Sequence, residues 1–175
     1  MTEEPTTETM NRRLRTVREH IRLENAHDLP AVMDTFGSSA RYDDEPWDEH
    51  HTGREDVRAF YEQLLSALPD LEIEVTKEHA SSDAVIVECF IRGTHRGTWR
   101  RLPPTGRRLE FPLCGVYTFD ADGKLAGERI YYDRAAVLRQ CGVFREPTTL
   151  SGRLLLFLNH PVTILGALLS RRTSG

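Results

Sequence analysis

Leu71-Glu72-Ile73-Glu74-Val75-Thr76 is the stretch at which the hydrophobic period of this chain changes from helical to two, and that change decides the fold class. Leu71, Ile73 and Val75 alternate with polar neighbours, as in a strand with one face buried. Downstream, Ala84 to Thr94, Leu109 to Phe119 and Leu125 to Tyr132 read as three further strands. Asp120-Ala-Asp-Gly123 reads as the hairpin turn before the last of them, because it lacks the remaining ligands of a calcium loop. Upstream the period is helical. Leu14, Val17 and Ile21 mark a helix from about Met10 to Ala26, and Asp28-Leu-Pro reads as the N-cap and first turn of a shorter one. Ala40 to Asp43 is a short strand. Thr52-Gly-Arg-Glu55 matches a capping box, and Val57, Phe60, Tyr61, Leu64 and Leu65 trace one face of a third helix ending near Leu68. Helices followed by four antiparallel strands predict an α+β domain.

With 175 residues, 39% of them hydrophobic, the chain can bury one core. The net charge of -4 and pI near 6.0 leave no footprint for nucleic acid, and the local cluster of Arg96, Arg100, Arg101, Arg107 and Arg108 reads as a solvated loop. Cys89, Cys114 and Cys141 are odd in number and widely spaced, which predicts reduced thiols and a cytoplasmic protein. The polar, acidic N-terminus has the pattern of neither a signal nor a transit peptide. The expected organisation is a disordered lead-in (1–9), a domain (10–145) and an apolar helical tail (146–175). Within the tail, Leu150 to Ser170 is too short in its apolar runs to span a bilayer and is broken at Pro161. Two short amphipathic helices docked on the domain or on a second subunit are expected there. Peripheral membrane contact through 150–170, edged by Arg153, Arg171 and Arg172, is the alternative.

Glu128-Arg129-Ile130-Tyr131-Tyr132-Asp133 is the stretch richest in chemistry. In an extended segment Arg129, Tyr131 and Asp133 point one way and Glu128, Ile130 and Tyr132 the other. If the first face lines a pocket, apolar walls raise the Asp133 pKa into the range of a general acid/base, with Tyr131 as hydrogen-bond donor and Arg129 as a ligand-binding residue. Tyr61 and Tyr117 are further candidates for contact with a ligand. The plainer reading is that Asp133 caps the helix expected from Arg134 to Cys141.

Five motifs recur together in order: Gly93-Thr-His-Arg-Gly97, Pro104-Thr-Gly-Arg107, Phe119-Asp-Ala-Asp-Gly-Lys124, Arg129-Ile-Tyr-Tyr-Asp133 and Leu138-Arg-Gln-Cys-Gly142. As a set they resemble the SnoaL-like polyketide cyclases and ester cyclases of the nuclear-transport-factor-two-like superfamily, over roughly residues 12 to 144. The resemblance implies a cone-shaped fold, a curved antiparallel sheet wrapped on the first helices around an apolar pocket, commonly in a homodimer. It implies a cofactor-free aldol ring closure with Asp133 as the acid/base. The related ketosteroid isomerases carry a proton-shuttling aspartate after the first strand, which makes Asp44 of Tyr42-Asp43-Asp44-Glu45-Pro46-Trp47 a second candidate. Adjacent carboxylates repel when buried together, so at least two of these three are expected in solvent. Trp47 is a candidate for the pocket rim, and His95 for a catalytic partner. Cys141 stands where a Leu is common in the family. Neither His50-His51 nor any other spacing supports a metal site, and no cofactor is expected.

Two functions follow as expectations. One is a cofactor-independent cyclase, isomerase or hydrolase acting on a small apolar or aromatic carbonyl compound. The other is a non-catalytic ligand-binding or dimerisation module, associated with a partner or a membrane through its tail. Asp133 opening into an enclosed cavity would favour the first, whereas a carboxylate spent on helix amides at the surface would count against it.

Overall fold

The computed structural model describes residues 7–164. In chain order the elements are α1 (Thr7–Asn25), α2 (Leu29–Thr35), β1 (Arg41–Asp44), a 3-10 turn (Glu45–Trp47), β2 (Glu49–Thr52), α3 (Arg54–Ala67), β3 (Glu72–Ala80), β4 (Ala84–Thr94), β5 (Arg108–Phe119), β6 (Leu125–Tyr132), α4 (Arg134–Gln140) and α5 (Leu150–Asn159). One six-stranded sheet, curved and open, has the order β2-β1-β6-β5-β4-β3. The fold is α+β, with α1, α2 and α3 packed inside the curve of the sheet.

Asp28 caps α2 as expected, its carboxylate accepting from the Ala31 amide at 3.2 Å. The predicted capping box at Thr52 does not form. Gly53 occupies the N-cap of α3, and the Asp56 carboxylate reaches back to the Thr52 amide at 3.0 Å. The expected run of antiparallel pairs is broken once: β1 lies parallel to β6, pairing Tyr42 with Glu128, Asp43 with Arg129 and Asp44 with Ile130. The acidic stretch after β1 continues through the 3-10 turn into β2, a strand its polar sequence hides. On the edge strand β3 the alternation also fails. The register shifts between Val75 and Lys77, leaving Val75 exposed.

The loop from β4 to β5 is pinned to the end of α3, with the Arg96 and Gly97 amides both donating to the Ala67 carbonyl. A Cβ on Gly97 would lie 2.2 Å from the Ser66 carbonyl oxygen. Gly97→Ala must therefore push the loop off the helix, an expected loss of about 1–3 kcal/mol readable by chemical denaturation.

α1 starts at Thr7, inside the expected lead-in. None of the described helices is long and apolar enough to cross a membrane. Of the two tail helices expected, α5 is the first. Its apolar side chains are not docked on the domain: Leu150 is 86% exposed and Leu158 67%. Arg171 and Arg172 lie outside the described residues.

Candidate functional site

Strand β6 divides its side chains between two faces as the alternation predicts, but the cavity lies on the other side. Glu128 and Ile130 are buried, whereas Tyr131 is 44% exposed. Arg129, Tyr131 and Asp133 therefore share an outer face, contrary to the expectation that they enter one cavity. Asp133 ends the strand at the surface and caps α4, accepting from the Ala136 amide at 3.1 Å, with Arg139 3.6 Å from its other oxygen. Arg129 lies over Asp43 and Glu45. Asp133→Ala is expected to cost about 1 kcal/mol, the usual loss of an N-cap, and to leave ligand binding in the cavity unchanged.

A partly open cavity lies between the concave face of the sheet and α1 and α3. Phe60, Leu64, Leu68, Ile91, Trp99 and Phe111 supply apolar walls, and its polar groups are Glu24, Tyr42, Asp44, Tyr117, Glu128 and Tyr132. It is small, about 50 Å³ counted as room for the centres of water-sized molecules. A few waters or a small ligand fit, and a polycyclic one requires the walls to move.

Asp44 stands at one pole. Parallel pairing with β6 turns alternate β1 residues inward, so Asp44 faces the cavity while Asp43 faces out. Both are buried, which reverses the expectation that most of this acidic cluster is solvated. Opposite faces keep the two apart, and each has its own cations. Asp43 accepts from Arg41, from His50 at 2.7 Å and from Arg129; burial pushes its pKa up, but these bonds outweigh it and hold the carboxyl below its ordinary value. Asp44 accepts through Oδ2 from Arg100 Nη2 at 2.6 Å and from the Tyr132 hydroxyl at 3.2 Å. Oδ1 is buried with no hydrogen-bond partner. Here burial outweighs the Arg100 charge and the pKa is raised. Arg100 also donates to Glu49 at 3.0 Å and lies over the indole rings of Trp47 and Trp99, which touch each other, at 4.8 and 4.7 Å from their centroids. Its Nη1 is likewise buried and without a partner. Arg100 and Arg101 adopt left-handed backbone conformations, with φ of 47° and 65°. That strain bends the loop so that the guanidinium reaches Asp44 from behind the cavity wall, to which Trp99 contributes its indole.

At the other pole Glu128 of β6 accepts from the Tyr61 hydroxyl at 2.9 Å and the Tyr117 hydroxyl at 3.1 Å. His20 Nε2 lies 3.4 Å from Glu128 and 3.7 Å from Glu24. All three residues are buried. Burial pushes the Glu24 carboxyl up to about 7, against the pull of His20. For His20 burial acts downward, but the two carboxylates outweigh it and raise the pKa.

The other candidates fall outside the cavity or are already engaged. Tyr61 is fully buried behind the wall, spent on Glu128 and His20. Tyr117 lines the cavity, with its hydroxyl on Glu128. Trp47 is not a cavity-wall residue and packs beside Trp99 against Arg100. His95 is buried in the β4–β5 loop, bonded to Thr105 at 3.1 Å and away from the cavity. Its pKa is lowered by burial.

Sequence reading missed His20, Glu24, Glu128, Tyr132 and Arg100. A signal existed for four of them. His20 and Glu24 continue the Leu14, Val17, Ile21 stripe of α1, and Ile130 marks which face of β6 is the buried one, carrying Glu128 and Tyr132 with it. Arg100 had none, since its place depends on a loop.

Several solved structures share this fold. AclR from Streptomyces galilaeus, a candidate hydroxylase, is 25% identical over 78% of this chain and 89% of its own, with a TM-score of 0.68. A candidate SnoaL-like polyketide cyclase from Jannaschia sp. CCS1 is 22% identical over 81% of this chain and 99% of its own, with a TM-score of 0.69. IdmH from Streptomyces antibioticus, a candidate polyketide cyclase, is 22% identical over 75% of this chain and 99% of its own, with a TM-score of 0.63. No functionally curated protein matches the sequence. The family model for SnoaL-like polyketide cyclases matches residues 11–141, three-quarters of the chain, and establishes that this chain belongs to the SnoaL-like polyketide cyclase family.

Proposed function

We propose that this chain is an acid/base enzyme that takes a small, largely apolar carbonyl compound into the cavity and moves a proton through Asp44, in a ring closure, isomerisation or hydrolysis. Asp133 fails the criterion of an enclosed carboxylate, so the enzymatic reading rests on Asp44. One observation carries it: the Asp44–Arg100 ion pair keeps one acceptor, Oδ1, and one donor, Nη1, buried and unspent. Unspent buried polar atoms are costly, and a ligand that supplies a proton to the first and an oxygen to the second removes that cost.

The chemistry follows from the pair. Ionised Asp44 removes a proton next to a carbonyl, while Arg100 and the aromatic wall support the negative charge that develops on the carbonyl oxygen. The carboxylic acid so formed returns its proton to the new alkoxide or carbanion. Burial raises the affinity of Asp44 for that proton, which suits one group to both roles. AclR as a candidate hydroxylase and IdmH as a candidate cyclase support reaction with an organic molecule on this fold without fixing which reaction.

Ligand binding without turnover is the second reading, favoured by the small cavity volume. A screen of mono- and bicyclic ketones against wild type and Asp44→Asn separates the two. A compound converted by the first and only bound by the second supports catalysis. Equal binding to both with no conversion supports the binding module.

A further inference from the structure

We propose that His20, Glu24 and Glu128 form a divalent-cation site at the pole of the cavity opposite Asp44. The three donors come from two elements that meet only in the folded chain. His20 and Glu24 are one turn apart on the same face of α1, and Glu128 projects from β6. His20 Nε2 is 3.4 Å from Glu128 Oε2 and 3.7 Å from Glu24 Oε2, and the three ligand atoms all lie within 4.8 Å of one another. Neighbouring ligands at ordinary N and O bond lengths on one first-row ion are roughly 3.0–3.5 Å apart, so small side-chain shifts close these atoms on a common centre.

The imidazole is oriented for this role from outside the cluster. Thr35 donates its hydroxyl hydrogen to the Val32 carbonyl at 2.6 Å, so toward His20 Nδ1, 2.7 Å away, it can only accept. Nδ1 therefore carries a hydrogen and is spent on Thr35, which leaves Nε2, facing Glu128, Glu24 and the Tyr61 hydroxyl at 3.2 Å, as the nitrogen that ligates once an incoming ion displaces its proton. A ligating histidine that donates its second ring N–H to an oxygen is the usual outer-sphere arrangement of a metal site. Tyr61 and Tyr117 donate to Glu128 in the same supporting sense.

A second observation points to a ligand. Glu24 Oε2, on a side chain only 6% exposed, has no hydrogen-bond partner although it lies within this cluster. A divalent ion that displaces the protons held in this cluster cancels the charge of both carboxylates in a dry core. Glu24 and Glu128 also line the cavity, which leaves the open coordination positions for water or an oxygen of a bound molecule. One imidazole and two carboxylates suit Zn²⁺, Mn²⁺ or Fe²⁺ rather than a soft ion.

The test uses the full chain, stripped with chelator and titrated separately with Zn²⁺ and Mn²⁺ by calorimetry, with Co²⁺ absorption as an optical probe of coordination. One ion per chain at micromolar affinity or tighter and a rise in Tm with metal are expected. Binding should weaken by about 100-fold or more in Glu24→Gln and about 10–100-fold in Thr35→Val, each confirmed as folded by circular dichroism. Asp44→Asn should bind metal as wild type does, so failure here is distinguishable from failure of the acid/base reading. No saturable binding at millimolar ion, binding undiminished in Glu24→Gln, or binding without a change in Tm would each overturn the proposal, the last two indicating surface sites.

Discussion

Arg100→Met is expected to destabilise the fold by about 3 kcal/mol, the low end for breaking a buried ion pair. The loss comes from what remains. Asp44 keeps its place in the wall with only the Tyr132 hydroxyl to support its charge, and two indoles lose the cation lying over them. The low end applies because Glu49, the other partner, is partly solvated. The effect depends on pH in a defined direction. The folded-state pKa of Asp44 is already raised, and removing Arg100 raises it further. A raised carboxyl favours the protonated fold, so the deficit is full above the folded pKa and shrinks as pH falls through it. Adding Asp44→Leu to Arg100→Met should return most of the stability, because no charge is then left buried. Denaturant titrations of both singles and the double at neutral and acidic pH would show this, and a double mutant as unstable as Arg100→Met would refute it.

Asp44→Asn is expected to lower kcat by about 10²–10⁴-fold on any substrate that the cavity turns over, the usual contribution of a positioned acid/base. KM should change little, since the amide keeps the shape and its oxygen still accepts from Arg100. The pH profile gives a sharper reading than the rate. A base must be ionised, so wild-type activity falls as pH drops through the pKa of Asp44, which burial raises above its ordinary value. That acid limb should vanish from the residual activity of Asp44→Asn. An acid limb that persists would assign the proton transfer to another group.

Fold class, the order of the helices and strands apart from β2, and the faces of β6 were legible in the sequence, because each rests on a local period of polar and apolar residues. Asp28 as the cap of α2 and Asp120-Ala-Asp-Gly123 as a hairpin turn follow from equally local chemistry, the latter with Gly123 at a φ of 79°. What alternation cannot give is which face is inside. Tyr131 and Asp133 carry chemistry that drew the pocket to their side, whereas Ile130, the single aliphatic side chain between two polar ones, marked the opposite face. The parallel pairing of β1 with β6 was also invisible, since no turn links them, and it alone sends Asp44 inward and Asp43 outward. Arg100 reaches Asp44 through two left-handed residues that no propensity favours.

That same pairing governs when the protein can become itself. Asp44 and Tyr132 are 88 positions apart in the chain, and Asp43 and Arg129 are 86 apart. During synthesis α1, α2, β1 and α3 emerge ahead of the strands that α1 packs against, while β3, β4 and β5 assemble as a meander of near neighbours. β6 is the last strand of the sheet to leave the ribosome, and its insertion between β5 and β1 completes the sheet. Closure of so long a loop is a slow, late event. A nascent chain halted before residue 125 would hold most of its secondary structure and no cavity, so the capacity to bind a ligand arrives in a single step at the end of translation of the domain.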